Sequence, residues 1–285
     1  MRQGFGGFQL TPAVKNLLII NGLMYLATVS LVNVDFNRLF ALHPWFASDF
    51  YPHQFITHIF MHGSTMHLFM NMFTLWMFGT MLEQVWGTKR FLIYYMLTGI
   101  GAALMYYGVD YWEIKNTYIP FDNAIANPTV ENIRAFVNYA HGLDGMQQYL
   151  DFDMMDAYRS FRESYTNIMQ NPDGANTISL QAAGVFAAKV KASFANFHTM
   201  LGASGAVFGI LLAFGMTFPD MKIMLLIPPI PMKAKYLVAL FAVFELYRGM
   251  ANAPDDNIAH FAHLGGMVVG FFILRYWRSM GVGGK

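Results

Sequence analysis

His198-Thr199-Met200-Leu201-Gly202-Ala203-Ser204-Gly205-Ala206-Val207-Phe208-Gly209-Ile210-Leu211-Leu212-Ala213-Phe214-Gly215-Met216 decides how the rest of the chain is read. The stretch is apolar enough to lie in a membrane, and no charge occurs between Lys191 and Asp220. It nonetheless carries a hydroxyl, Ser204, between Gly202 and Gly205. Glycines at this density have a packing explanation, since small residues let membrane helices approach closely. They also have a chemical one. A serine in a glycine turn leaves room for a substrate carbonyl beside a backbone N–H. The remaining segments must separate the two.

Composition sets the solvent. Of 285 residues, 55% are hydrophobic and 12% charged, half the roughly 25% charged fraction usual in soluble domains. Several apolar runs approach the roughly 17–25 residues that cross a bilayer, so an integral membrane protein is expected and a soluble hydrolase is excluded. The net charge of +1 gives no reason to expect a nucleic-acid partner. The absence of cysteine removes thiolate nucleophiles, disulfides and Cys-type zinc sites. Met1 to Leu10 lacks the layout of a cleaved signal peptide, so the first apolar run is expected to remain as a helix.

Hydropathy predicts six spans: Leu17–Val32, Thr65–Leu82, Phe91–Tyr107, Met200–Phe218, Ala234–Met250 and Ile258–Tyr276. Trp45, Phe46, Phe50 and Tyr51 in the first loop suit a membrane–water boundary. Met221–Met232 is too short to span and contains Pro228, Pro229 and Pro231, so it reads as an interfacial loop. Glu245 and Arg248, in the last turns of the fifth span, are read as lying near the interface, where snorkelling lowers their cost.

Lys15, Lys89, Arg90, Lys222, Lys233, Lys235, Arg275 and Arg278 all fall on the side shared by the termini. The opposite short loops carry only Arg38 and Arg248, so the positive-inside rule places both termini in the cytoplasm. Ser204 then lies a short way below the outer surface. Asp110–Asn196, with ten acidic and six basic residues, becomes an extracytoplasmic insertion of net charge −4. Within it Met154, Met155, Tyr158, Phe161, Tyr165, Ile168 and Met169 recur at helical spacing. Leu180–Phe194 reads as a second helix after a Pro172-Asp173-Gly174 turn. The implied organisation is 1–109 for spans one to three, 110–196 for the helical insertion and 197–285 for spans four to six.

A charged residue at the centre of a span costs about 2.5–3.5 kcal/mol or more, so polar residues there need reasons. His67 and Asn71, four apart, share a helix face in the second span. Asparagine is a poor zinc ligand, so a pair of hydrogen-bond donors fits better than a metal pair; a polar helix–helix contact is the alternative. His263 lies in the apolar run of the sixth span, with Gly266 and Gly270 giving a close-packing face and His260 one turn nearer the outer end. A serine, a histidine and a donor pair near the outer ends of three spans favour chemistry over packing.

Together these stretches resemble the rhomboid family of intramembrane serine proteases. The resemblance rests on His67-x-x-x-Asn71, on Gly202-Ala203-Ser204-Gly205, on Ala262-His263-Leu264-Gly265-Gly266, and on the order of the spans. It implies an all-α, six-span bundle in which Ser204 is the nucleophile and His263 its general base. His67 and Asn71 would stabilise the oxyanion. Gly202, Gly205, Gly266, Phe208 and Glu83 would be structural residues near the site, Phe208 packed by the histidine and Glu83 a buried hydrogen-bonding acid. The first loop reads His53-Gln54 where the family often has Trp-Arg, and the long insertion has no counterpart in the compact bacterial forms.

A Ser–His dyad is expected, because the apolar part of the sixth span contains no acid; Asp255 and Asp256 precede it. No cofactor or metal is implied. Expected partners are the lipid bilayer and single-span or other membrane proteins, cleaved in or near their transmembrane segments. The expected location is a bacterial inner (plasma) membrane. Two other functions are compatible with the composition: an inactive relative that binds transmembrane clients, and a channel or transporter. The first would be expected to lack nucleophile or base. The second lacks intramembrane acidic relays and an inverted repeat.

Overall fold

The computed structural model describes residues 10–147, 150, 154–197, 199–224, 230–251 and 260–281. His198, Asp255 and Asp256 lie outside the described residues, as does nearly all of the Met1–Leu10 start. The fold is mostly helical and divides into two compact units, residues 1–42, 51–109 and 200–285 in one, and 43–50 and 110–199 in the other.

The helices in chain order begin with α1 (Pro12–Ser30), α2 (Phe36–Phe40), α3 (Gln54–Thr57) and α4 (Thr65–Thr74). A π-helical turn, Leu75–Gly79, joins α4 to α5 (Thr80–Trp86), and α6 (Thr88–Thr117) follows. Next come α7 (Ile119–Ala126), α8 (Val130–Tyr139), α9 (Gly142–Met146), α10 (Met155–Gln170) and α11 (Thr177–Phe197). The chain ends with α12 (Ser204–Thr217), α13 (Ala234–Ala251) and α14 (His260–Ser279).

Helix α12 is the axis of the first unit. It is apolar all round, and such a helix is stable only when enclosed; nine of its residues are buried. Glycines set its approach to its neighbours. A Cβ on Gly266 of α14 would lie 1.9 Å from the Gly205 carbonyl oxygen, and one on Gly205 would meet the Ala102 methyl of α6 at 2.4 Å. Tyr94 of α6 donates its hydroxyl to the Gly209 carbonyl at 2.8 Å. The packing and chemical readings of these glycines are therefore compatible.

Pro12 opens α1, where a missing N–H costs nothing. The next two amides, Ala13 and Val14, donate to the Glu83 carboxylate at 2.8 and 3.0 Å, and Thr88 adds its hydroxyl at 2.7 Å. Ser64 caps α4 by accepting the His67 amide. Gly87, at φ +78°, turns the chain between α5 and α6, a conformation that favours glycine.

Among the described residues, two helical segments are long and apolar enough to cross a membrane, Pro12–Ser30 and Thr88–Val109; Ser204–Thr217 is a shorter apolar helix. Helix α13 carries Lys235, Glu245 and Arg248. Large apolar side chains face outward on several helices, including Leu23, Phe69, Val243 and Phe272, each more than half exposed.

The Met221–Met232 region differs from the loop expected. Lys222–Met224 (β1) and Pro231–Lys233 (β2) pair antiparallel, and Lys233 and Lys235 both bond Asp220. Pro231 fits because a strand end tolerates a residue without an N–H.

The second unit has its own core, in which Phe121, Phe136, Phe161, Phe186 and Phe194 are buried. Phe161 and Phe186 stack at 4.4 Å, which uses the helical face read from α10. First-loop residues 43–50 belong to this unit: Phe46 packs edge-on to Tyr118, and Ser48 and Asp49 bond Asn196. Phe46 is thus a packing residue within this unit.

Candidate active site

Ser204 is the first residue of α12. Its N–H is among the first-turn amides that a helix leaves without an internal acceptor. The approach to it is fixed by the first loop: Leu42 and Met200 exchange backbone hydrogen bonds, and the Gly202 amide donates to the His58 carbonyl at 2.9 Å. Gly202 sits at φ +121°, and a Cβ there would lie 2.7 Å from Cε1 of His67. Only glycine meets both conditions, so the His67 ring edge lies directly against the turn that presents the serine.

His53 and Gln54 brace the first loop through its own backbone. His53 Nε2 bonds the Leu39 carbonyl at 2.8 Å, and fully buried Gln54 accepts from the Tyr51 amide while donating to the Arg38 carbonyl. His58 continues the chain, its Nδ1 2.8 Å from the Gln54 carbonyl. Burial lowers the pKa of His58 to about 4, so the ring is neutral at ordinary pH and Nδ1–H donates to that carbonyl.

Ser204 Oγ lies 2.8 Å from His263 Nε2. The ring of Phe208 stacks on that of His263 at 4.2 Å and 8°. On the far edge of the histidine, Nδ1 lies 2.8 Å from Oε2 of Glu245, and the same oxygen is 2.6 Å from Nδ1 of His260. An ionised carboxylate can only accept, so both Nδ1 atoms carry hydrogens. In neutral His263 that leaves Nε2 as the acceptor, and the Ser204 hydroxyl donates to it.

Glu245 is therefore not the interfacial, snorkelling residue that its place in the fifth span suggests. It is 5% exposed and points inward, because two imidazole N–H groups supply the hydrogen bonds that a buried carboxylate needs. The cue was present: an acid late in the fifth span, and two histidines three residues apart on one helix face.

Asn71, 5% exposed, leaves its Nδ2 donor without a partner among the described residues. His62, also buried, lies 5.1 Å from the His67 ring centroid, and neither of its ring nitrogens has a partner among the described residues. Desolvation lowers the His62 pKa to about 4. Buried polar groups are usually hydrogen-bonded, so Asn71 and His62 have donor capacity to offer.

Glu83 receives its hydrogen bonds from the first turn of α1 and from Thr88. Ser204, His263, Phe208, Gly202, Gly205, Gly266 and His67 do come together through the contacts above.

Glu245, His260 and His263 have ligand atoms within 4.8 Å of one another, the one such group among the described residues that could hold a metal. The 2.6 and 2.8 Å separations are those of charge-assisted hydrogen bonds. Tetrahedral ligands about 2.05 Å from zinc stand roughly 3.3 Å apart. The cluster fits protons better than a metal.

Comparison with curated proteins finds no match. The family model of the Rhomboid domain matches residues 49–113 and 174–279, more than half of the chain, in segments that include His67, Asn71, Ser204, Glu245 and His263. This chain belongs to the rhomboid family, whose members are integral membrane proteins.

Proposed function

We propose that the protein is an intramembrane serine endopeptidase that cleaves membrane-anchored proteins in or near their transmembrane segments. The observation that carries this reading is the 2.8 Å contact between Ser204 Oγ and His263 Nε2. A serine hydroxyl is a weak nucleophile until a base takes its proton, and His263 presents an acceptor nitrogen to it.

In the proposed reaction, Ser204 Oγ attacks the scissile carbonyl carbon as its proton passes to His263 Nε2. The carbonyl oxygen becomes an oxyanion facing the Ser204 N–H, His67 and the Nδ2 of Asn71, which has no partner among the described residues. Collapse breaks the C–N bond, and Nε2 returns the proton to the leaving amine. Water then attacks the acyl-enzyme, giving its proton to Nε2, and the second collapse restores Ser204. Losing one oxyanion donor typically lowers turnover about 10²–10³-fold.

Six spans are proposed from α1, the α4–α5 pair through its π turn, α6, α12, α13 and α14, with both termini in the cytoplasm of a bacterial inner membrane. Helix α12 has 14 residues, about 21 Å at 1.5 Å per residue, against a hydrocarbon thickness of about 30 Å. Anchored on the cytoplasmic side at Asp220, it would leave Ser204 within the outer part of the bilayer and open to water from outside. The 110–196 insertion would then be extracytoplasmic. Because a stable helix hides its carbonyls, substrates with helix-weakening residues near the outer face are expected to be preferred.

The family also contains inactive homologues, so activity is the test. Protein reconstituted with a single-span reporter should cleave it, whereas Ser204→Ala and His263→Ala should lose cleavage at least 10³-fold. Cleavage by either variant at the wild-type rate would remove the assignment.

A further inference from the structure

The base has a third neighbour that the serine–histidine pair does not require. We propose that Glu245 is the positioning residue of His263, extending the pair to a hydrogen-bonded chain from α13 through α14 to Ser204 on α12. The inference rests on the protease reading above.

Four features support it. The carboxylate is buried among apolar helices, where an unpaired charge would be costly. It accepts from Nδ1 of His263, which fixes the tautomer whose Nε2 faces Ser204. It also accepts from Nδ1 of His260 at 2.6 Å, a second anchor that keeps the carboxylate from rotating away. Phe208 fixes the plane of the same ring from one face. The imidazole is thus held at its Nδ1 edge and across its ring, leaving Nε2 for the proton.

Glu245 remains ionised throughout. The serine proton moves to Nε2, then to the leaving amine, and the proton of the hydrolytic water returns by the same nitrogen. As the imidazolium forms, its positive charge develops one hydrogen bond from the carboxylate. His260 acts on Glu245 and does not touch the reacting atoms.

An alternative role is purely architectural, with Glu245 pinning α13 to α14 through the two histidines. The roles differ in kinetics. Wild type, Glu245→Gln, Glu245→Ala, His260→Ala and Ser204→Ala would be compared in liposomes with a single-span reporter. Thermal unfolding would be followed in parallel, and an alkyl fluorophosphonate would report serine reactivity. Positioning predicts that Glu245→Gln keeps its unfolding temperature and its KM within about twofold, while kcat and labelling rate fall at least tenfold. Glu245→Ala should fall further, toward the ~10⁴-fold seen when the corresponding carboxylate of soluble serine proteases is neutralised; His260→Ala should fall only several-fold.

A folded Glu245→Gln that turns over and labels within twofold of wild type would overturn the proposal, whether or not Glu245→Ala folds. Cleavage by wild type and not by Ser204→Ala would leave the protease reading standing in that case. A wild type that neither cleaves nor labels would overturn both, since a positioning residue then has no nucleophile to serve.

Discussion

Among the described residues, two buried glutamates are held by different partners. Glu83, 3% exposed, receives two backbone amides of α1 and the hydroxyl of Thr88. Glu245, 5% exposed, receives two imidazole N–H groups. Similar burial and a similar hydrogen-bond load thus have opposite consequences. A carboxylate bonded to amides can only fix where a helix begins. One bonded to imidazoles also fixes which ring nitrogen carries a proton, and under the proposed function it would reach the chemistry of Ser204.

The contrast can be broken most forcefully at the two acids themselves. Glu83→Ala strands the amides of Ala13 and Val14, both nearly fully buried. It should destabilise the fold by about 3 kcal/mol, while kcat per folded molecule stays within about threefold of wild type. Glu245→Gln should show the reverse, with turnover lost and stability kept. Chemical or thermal unfolding in detergent, set beside kcat normalised to folded protein, reads both. A large drop in kcat for folded Glu83→Ala would erase the distinction.

A smaller effect is expected from acid. His58 and His62 are buried neutral, with pKa values lowered to about 4 by desolvation, against about 6.5 in the unfolded chain. Between those values the unfolded state binds more protons, so stability rises with pH. The contribution is therefore intact above about pH 6.5 and is lost progressively as the pH falls toward 4. Because the His58 carbonyl holds Gly202, unfolding there should begin at the loop presenting Ser204. Unfolding midpoints measured from pH 7 to 4 should fall in wild type. In a folded His62→Gln variant they should fall less, and equal slopes would contradict the assignment.

Much of the site was legible because a hydroxyl or imidazole in an apolar run is conspicuous. Ser204, His67, Asn71 and His263 each interrupt a hydropathic segment, and the turn glycines flank the serine. What escaped depends on distance in sequence. Glu245 meets His260 and His263 across 15 and 18 residues and a loop, and near a span end it has an innocent explanation in snorkelling. Glu83 was read as a hydrogen-bonding acid, but hydropathy alone does not say which helix end it meets. Residues 43–50 carry no compositional sign that they join the unit built from 110–199. The β1–β2 pairing was masked by prolines, which usually argue against strands.

The proposed activity requires Ser204 to be a nucleophile activated by His263. The most direct measurement is mass spectrometry of the membrane-reconstituted protein after reaction with an alkyl fluorophosphonate. A single phosphonyl adduct is expected on Ser204, formed at least 10²-fold more slowly in His263→Ala. Absence of an adduct on wild type, an adduct on another residue, or undiminished labelling of Ser204 in His263→Ala would contradict it.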